Sequence, residues 1–288
     1  MFQRLTTTQK GILAAFLGFS GFSFADACAK WLGAYYDTMD ILFWTYLICF
    51  IFGLCISPWL GGVRETLRTK KLIIHVCRGA CALVIGVLVI TSLSQGLPLA
   101  TLYTVLFLSP FLTTIAAIPA YKEHVSFKSW LIILIGFSGV LVAFYDPDAS
   151  ISLEAVYALC ALVFIVGLWL LARPLAQGET LLSLSFYPSL TTVILTFGSS
   201  FFSIELPELS HVPIFILNGM FVTFGLTGIF YGFSHAPYAI VAPVHYSQII
   251  WALILGYFIF SDIPDLRMLA GAVIIISSGI MLVFSQED

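Results

Sequence analysis

Between Gly11 and Ser285 this chain is a succession of apolar stretches, each about twenty residues long and broken only by short turns. A helix of that length rises about 30 Å, the thickness of the hydrocarbon core of a bilayer. Ten such spans read off the sequence: Gly11 to Trp31, Met39 to Trp59, Leu72 to Ser94, Pro98 to Tyr121, Phe127 to Tyr145, Leu153 to Arg173, Leu181 to Ser203, Pro213 to Phe233, Pro237 to Phe260 and Leu266 to Ser285. Turn residues mark most of the junctions, among them Gly61 with Gly62, Gly96 before Pro98, Asp146-Pro147-Asp148, Gln177 with Gly178, and Pro264 with Asp265. A membrane barrel would alternate apolar and polar residues, which Leu131 through Ile135 do not do. Only 9% of residues are charged, against about 25% in soluble domains. The expected fold is therefore an all-α integral membrane protein with ten transmembrane helices and no separate domain outside the bilayer.

One stretch occurs twice. Leu97 to Glu123 and Ala236 to Asp262 overlay without a gap, pairing Pro98 with Pro237, Ala100 with Ala239, Val105 with Val244 and Glu123 with Asp262, each 139 positions apart. An apolar segment follows each acid and closes in Gly139 to Phe144 or Gly279 to Phe284. Repetition of this kind divides the chain into two five-span units, residues 1–146 and 147–288. Lys and Arg fall unevenly: Arg4, Lys10, Arg64, Arg68, Lys70, Lys71, Arg78, Lys122, Lys128 and Arg173 on one side, Lys30 and Arg267 on the other. The positive-inside rule then places both termini in the cytoplasm. Five is odd, so the second unit enters the membrane from the opposite face. The repeats are expected to be inverted, an architecture of carriers that alternate access around a site near the bilayer midplane.

Candidate site residues are the polar and aromatic ones that lipid would not select. Asp26 lies deep in the first span and Lys30 stands four residues on, within helical reach, so the two are expected to pair, either as a structural neutralisation or as a coupling site. In the ninth span His245, Tyr246 and Gln248 follow Pro243; in the fourth, Tyr103, Phe107 and Ser109 hold the corresponding places. These two faces are expected to meet, and Pro110 and Pro243 to kink their helices. Trp44 and Trp169 lie away from the interfacial belt and are expected to line a cavity that stacks a planar ligand. Glu123 and Asp262 read as helix ends that set register. The pairs Gly18 with Gly21, Gly136 with Gly139 and Gly225 with Gly228 mark close helix approach.

With ten spans, a five-helix duplication, Asp26 to Lys30 late in the first span, prolines at Pro98 and Pro237, and acids at Glu123 and Asp262, the chain resembles the drug/metabolite transporter superfamily, EamA type, over essentially its whole length. It departs from many members in the second span, where Phe43 to Tyr46 stand in place of an Arg. The resemblance implies a secondary carrier of amino acids, their derivatives or similar metabolites, with export the commoner direction. The stretch Tyr246 to Trp251 is similar to the corresponding segment in carriers of S-adenosylmethionine or riboflavin, which makes uptake of such a metabolite the alternative.

The remaining readings are exclusions and settings. No Gly-rich phosphate loop, HExxH or GxSxG motif appears, so no catalytic residue, cofactor or metal site is expected. A scaffold or a lipid-active enzyme is the distant alternative. There is no basic patch for nucleic acid, and the six cysteines read as small buried packing residues. The expected setting is the bacterial inner membrane, with a small metabolite as cargo, protons as the candidate coupling ion, and a monomer or homodimer as the assembly.

Overall fold

The structure, a computed structural model, describes residues 6–59, 62–66, 68–94, 105–144, 153–175, 179–200, 204–261 and 266–284. Among the described residues every regular element is helical. The long ones are α1 (Thr7–Leu32), α2 (Thr38–Ile56), α3 (Leu72–Ser94), α4 (Ser109–Tyr121), α5 (Phe127–Phe144), α6 (Leu153–Leu170), α7 (Ser183–Ser200), α8 (Val212–His235), α9 (Gln248–Phe260) and α10 (Leu266–Phe284). A helical turn, Tyr238–Val241, and a 3₁₀ segment, Ala242–Ser247, precede α9. Among the described residues six segments are long and apolar enough to cross a membrane: α1, α2, Leu72–Val89 of α3, Val156–Leu175, α8, and Tyr238–Phe260. The other four expected spans are not among these six. The boundary between residues 146 and 147 lies outside the described residues.

Local chemistry explains where the helices start and stop. Thr6 caps α1 reciprocally, its Oγ1 accepting from the Gln9 amide at 3.2 Å while Gln9 Oε1 accepts from the Thr6 amide at 3.0 Å. Helices α4 and α9 are each thirteen residues long and end in a left-handed residue, Lys122 at φ 55° and Ser261 at φ 58°. Start and end of the two are offset by the same 139 positions as the sequence repeat.

The packing has the same regularity. Helix α1 packs on α8 and α3 on α6; α3 on α7 and α2 on α8; α4 on α6 and α1 on α9; α2 on α7 and α5 on α10. Exchanging α1–α5 with α6–α10 leaves this set of contacts unchanged.

The glycine pairs lie at two of these crossings. A Cβ on Gly228 would come within 2.5 Å of the Ala14 carbonyl oxygen, and one on Gly18 within 2.6 Å of the Ile229 amide nitrogen. Gly139 meets Ile274 and Ile275 in the same way, with α5 on α10. Because the obstacle at Gly228 is backbone, a side chain there has nowhere to move. Gly228→Ala is therefore expected to lower stability by about 1–3 kcal/mol despite the better helix propensity of Ala. Thermal unfolding of the purified protein checks this against Gly167→Ala, where a Cβ meets nothing within 4 Å. Equal midpoints for the two variants would contradict it.

Candidate substrate site

The entry to α9 is not α-helical because Pro243 has no amide hydrogen to donate. The chain instead winds through Ala242–Ser247 as a 3₁₀ segment, which turns His245 and Tyr246 into the bundle. Opposite them, Phe107 and Leu108 form a turn just before α4. Pro110 sits in the first turn of α4, where a missing donor costs little, so the break falls at Phe107 and Leu108 rather than as the expected kink at Pro110.

His245 is the centre of an aromatic box. Its ring stacks on Phe19 with centroids 4.8 Å apart, and meets Trp169 edge-on at 4.9 Å and Phe107 edge-on at 5.3 Å. Its Nδ1 lies 3.3 Å from Ser109 Oγ. Tyr246 packs edge-on against Phe107 at 6.1 Å, and its hydroxyl is buried with no hydrogen-bond partner among the described residues. Gln248 donates from Nε2 to the Phe19 carbonyl at 3.3 Å, and Trp251 donates to Ser20 Oγ at 2.8 Å, tying α9 to α1. The box thus offers planar apolar faces and a few polar atoms, the usual composition of a small-molecule site.

Beyond the box the aromatic contacts continue in a line. Trp169 stacks on Phe233 at 5.3 Å, Phe233 on Tyr238 at 5.1 Å, and Tyr238 on Tyr121 at 5.4 Å. The line ends in charge. Arg173 pairs with Glu123 and donates to the Ala236 carbonyl at 3.3 Å, while both Glu123 oxygens accept from the Tyr238 amide at 3.2 and 3.0 Å. This latch joins the end of α4, the segment after α6 and the turn before α9. Glu123 is a bridge between elements and not only the register-setting helix end expected of it.

A second latch lies at the same end. His75 Nε2 is 3.0 Å from Glu179 Oε2, Thr69 donates to Glu179 at 2.8 Å and Ser183 at 3.1 Å. Burial pushes the Glu179 carboxyl up, but the hydrogen bonds from His75, Thr69 and Ser183 outweigh it and hold the group below its ordinary value. The ionised form then stabilises the fold above the unfolded carboxylate value of 4.5, and that contribution disappears as pH falls through the lowered folded value. Thermal unfolding followed from about pH 7 to about pH 3 should show this acid-side loss, and Glu179→Gln should flatten it. The same acid slope in both proteins would remove Glu179 from the latch.

The remaining expected residues lie apart. Trp44 donates from Nε1 to the Glu205 carbonyl at 2.8 Å and lines an apolar groove of about 430 Å³ with Ile48, Phe52, Val212 and Phe215; none of the residues around His245 lines that groove. Asp26 and Lys30 do not pair as expected. The Asp26 side chain is exposed and makes no hydrogen bond or ion pair among the described residues, whereas the Lys30 ammonium stands 4.1 Å over the Phe260 ring. The i,i+4 spacing permits a contact, but α1 and α9 present Phe260 to the ammonium instead. Tyr103 and Asp262 lie outside the described residues. Of the cysteines, Cys49 is buried and accepts from Ser189 and Thr223, as a packing residue would, but Cys55, Cys77 and Cys160 are exposed.

The family model for EamA-like transporters matches residues 9–145, and relatives of similar length cover almost the whole chain. The family-model match spans a little under half of the chain, and the whole chain is similar in sequence to transporters along its length. It is 26% identical over 286 residues to the S-adenosylmethionine uptake transporter of Rickettsia prowazekii, covering 98% of this chain and 95% of that protein. It is 22% identical over 280 residues to the pseudopaline exporter CntI of Pseudomonas aeruginosa, covering 96% and 97%. A solved crystal structure superposes with a TM-score of 0.78 at 15% identity, over 96% of this chain and 99% of that one, which supports the fold. This EamA-type chain is a multi-pass membrane transporter. Phe19, Phe233, Tyr238 and Arg173 join this candidate site without a signal in the sequence that sets them apart: the phenylalanines look like any others in an apolar run, and Arg173 reads as a topology charge.

Proposed function

We propose that this EamA-type transporter takes up S-adenosylmethionine, or a metabolite built like it from a planar heterocycle and an amino-acid end, by alternating access across a bacterial inner membrane. The observation that carries the reading is the box of Phe19, Phe107, Trp169 and His245 at the broken entry to α9, whose rings suit a planar base. Likeness to S-adenosylmethionine uptake transporters over nearly the full chain supports it. The exchange-invariant helix contacts and the 139-residue offset support two inverted units, 1–146 and 147–288, rocking about the box. Both termini are cytoplasmic in this reading, and the latches at Glu123 with Arg173 and at His75 with Glu179 hold the cytoplasmic end closed.

Export of an amino-acid derivative is the second reading, favoured by the likeness to CntI. Competition against labelled S-adenosylmethionine in cells expressing the chain separates the two. Adenosyl compounds should displace the label and free amino acids should not. Absence of labelled uptake, with loss of a preloaded amino-acid derivative from the same cells, would favour export.

A further inference from the structure

Among the described residues Arg78 in α3 is the largest fully buried side chain, and it carries a charge. It is fully buried, six residues into an apolar helix, where an ionised group is costly unless something answers its charge. Nη2 donates to the Leu184 carbonyl at 2.8 Å, and Nη1 reaches His75 Nδ1 at 3.3 Å. Since a guanidinium only donates, His75 accepts at Nδ1 and turns its Nε2 hydrogen to Glu179. The acid nearest to Arg78 is therefore engaged with His75, Thr69 and Ser183, and no carboxylate pairs with Arg78 among the described residues. Its Nε is buried without a partner.

The guanidinium carbon also stands 3.4 Å from the centroid of the Phe230 ring. Phe230 is one helical turn before Phe233, the ring that stacks on Trp169 of the aromatic box, and both belong to one apolar cluster with Phe19 and Tyr46. A planar cation with one buried N–H left unpartnered thus stands one helical turn from the box, where α3, α7 and α8 meet. A single guanidinium matches a planar, singly charged carboxylate. A phosphate dianion would call for a second cation, and the nearby Lys71 ammonium is held at the Pro174 carbonyl.

The geometry points to Arg78 as the group that binds the substrate's carboxylate, with the His75–Glu179 latch as the cover that must open for the carboxylate to reach it. This rests on the uptake reading above and adds to it: the heterocycle occupies the aromatic box and the amino-acid end extends towards α3. The charged end is then held by the third span and not by the ninth.

The test uses the full chain in nanodiscs and proteoliposomes, with ligand pairs that differ only in the carboxylate: S-adenosylmethionine against its decarboxylated form, and methionine against methioninamide. Binding is read as thermal stabilisation and transport as uptake. Wild type should prefer the carboxylate member of at least one pair by about tenfold to a hundredfold, the range of charge-assisted hydrogen bonds. Arg78→Lys should keep part of that preference, and Arg78→Gln should abolish it, losing the carboxylate member by about tenfold or more beyond any change in the decarboxylated member. No preference in wild type, a preference that survives Arg78→Gln, or equal loss of both members in Arg78→Lys overturns the assignment. A preference confined to the methionine pair, with S-adenosylmethionine neither bound nor moved, keeps Arg78 and overturns the uptake reading instead.

Discussion

His245→Phe should fold with nearly wild-type stability and lose about tenfold or more in uptake. Phenylalanine refills the space between Phe19, Trp169 and Phe107 with a ring of similar size, and volume-conserving swaps in a core usually cost under about 1.5 kcal/mol. What it removes is the pair of ring nitrogens, including Nδ1 beside Ser109 Oγ. One polar contact to substrate is worth about 1.5 kcal/mol, and about 1.4 kcal/mol is tenfold in an equilibrium constant. His245→Ala is the contrasting variant, since it opens a cavity among the rings and should cost about 2–5 kcal/mol of stability as well as activity. Thermal unfolding and initial uptake rates measured on the same preparations separate the two effects. Full uptake by His245→Phe would reduce the box to packing.

Glu123→Ala is expected to be the most destabilising single change at this end of the bundle. Its carboxylate pairs with Arg173 and accepts from the Tyr238 amide, so removing it orphans a cation and a backbone donor together. Breaking a fully buried pair costs about 3–5 kcal/mol, and the one-third exposure of the Arg173 side chain lowers that here to about 2 kcal/mol. Glu123→Gln should lose less, because its carbonyl oxygen can still accept from Tyr238. A midpoint for Glu123→Ala equal to wild type would show that the latch contributes nothing. Faster modification of a cysteine placed at Ala236 in Glu123→Ala than in wild type would show that the same change opens this end.

Much of the fold was legible because lipid makes apolar length and helix period visible in sequence. The repeat around Pro98 and Pro237 was readable for the same reason, and α4 and α9 end 139 positions apart at Lys122 and Ser261. The glycine pairs were legible as close contacts, since only a missing side chain admits a neighbouring backbone at Gly18 and Gly228. The site was legible in its polar half. His245, Tyr246 and Gln248 are unusual residues for a membrane helix, whereas Phe19 and Phe233 look like any others in an apolar run until tertiary packing brings them to the box. Asp26 and Lys30 misled because spacing along one helix says which residues can touch, not which neighbour from another helix intervenes. Arg78 reads in the sequence only as a topology charge; its burial and its i,i+3 partner His75 become meaningful only when Glu179, from the loop before α7, closes on them.

Uptake of labelled S-adenosylmethionine into proteoliposomes holding the purified chain, with a proton gradient imposed or abolished, is the most direct measurement of what this transporter does. Saturable uptake that exceeds protein-free liposomes, and that falls in Trp169→Ala and Arg78→Gln, is the expected result. No S-adenosylmethionine flux in either condition, from folded protein that moves an unrelated solute, would contradict it.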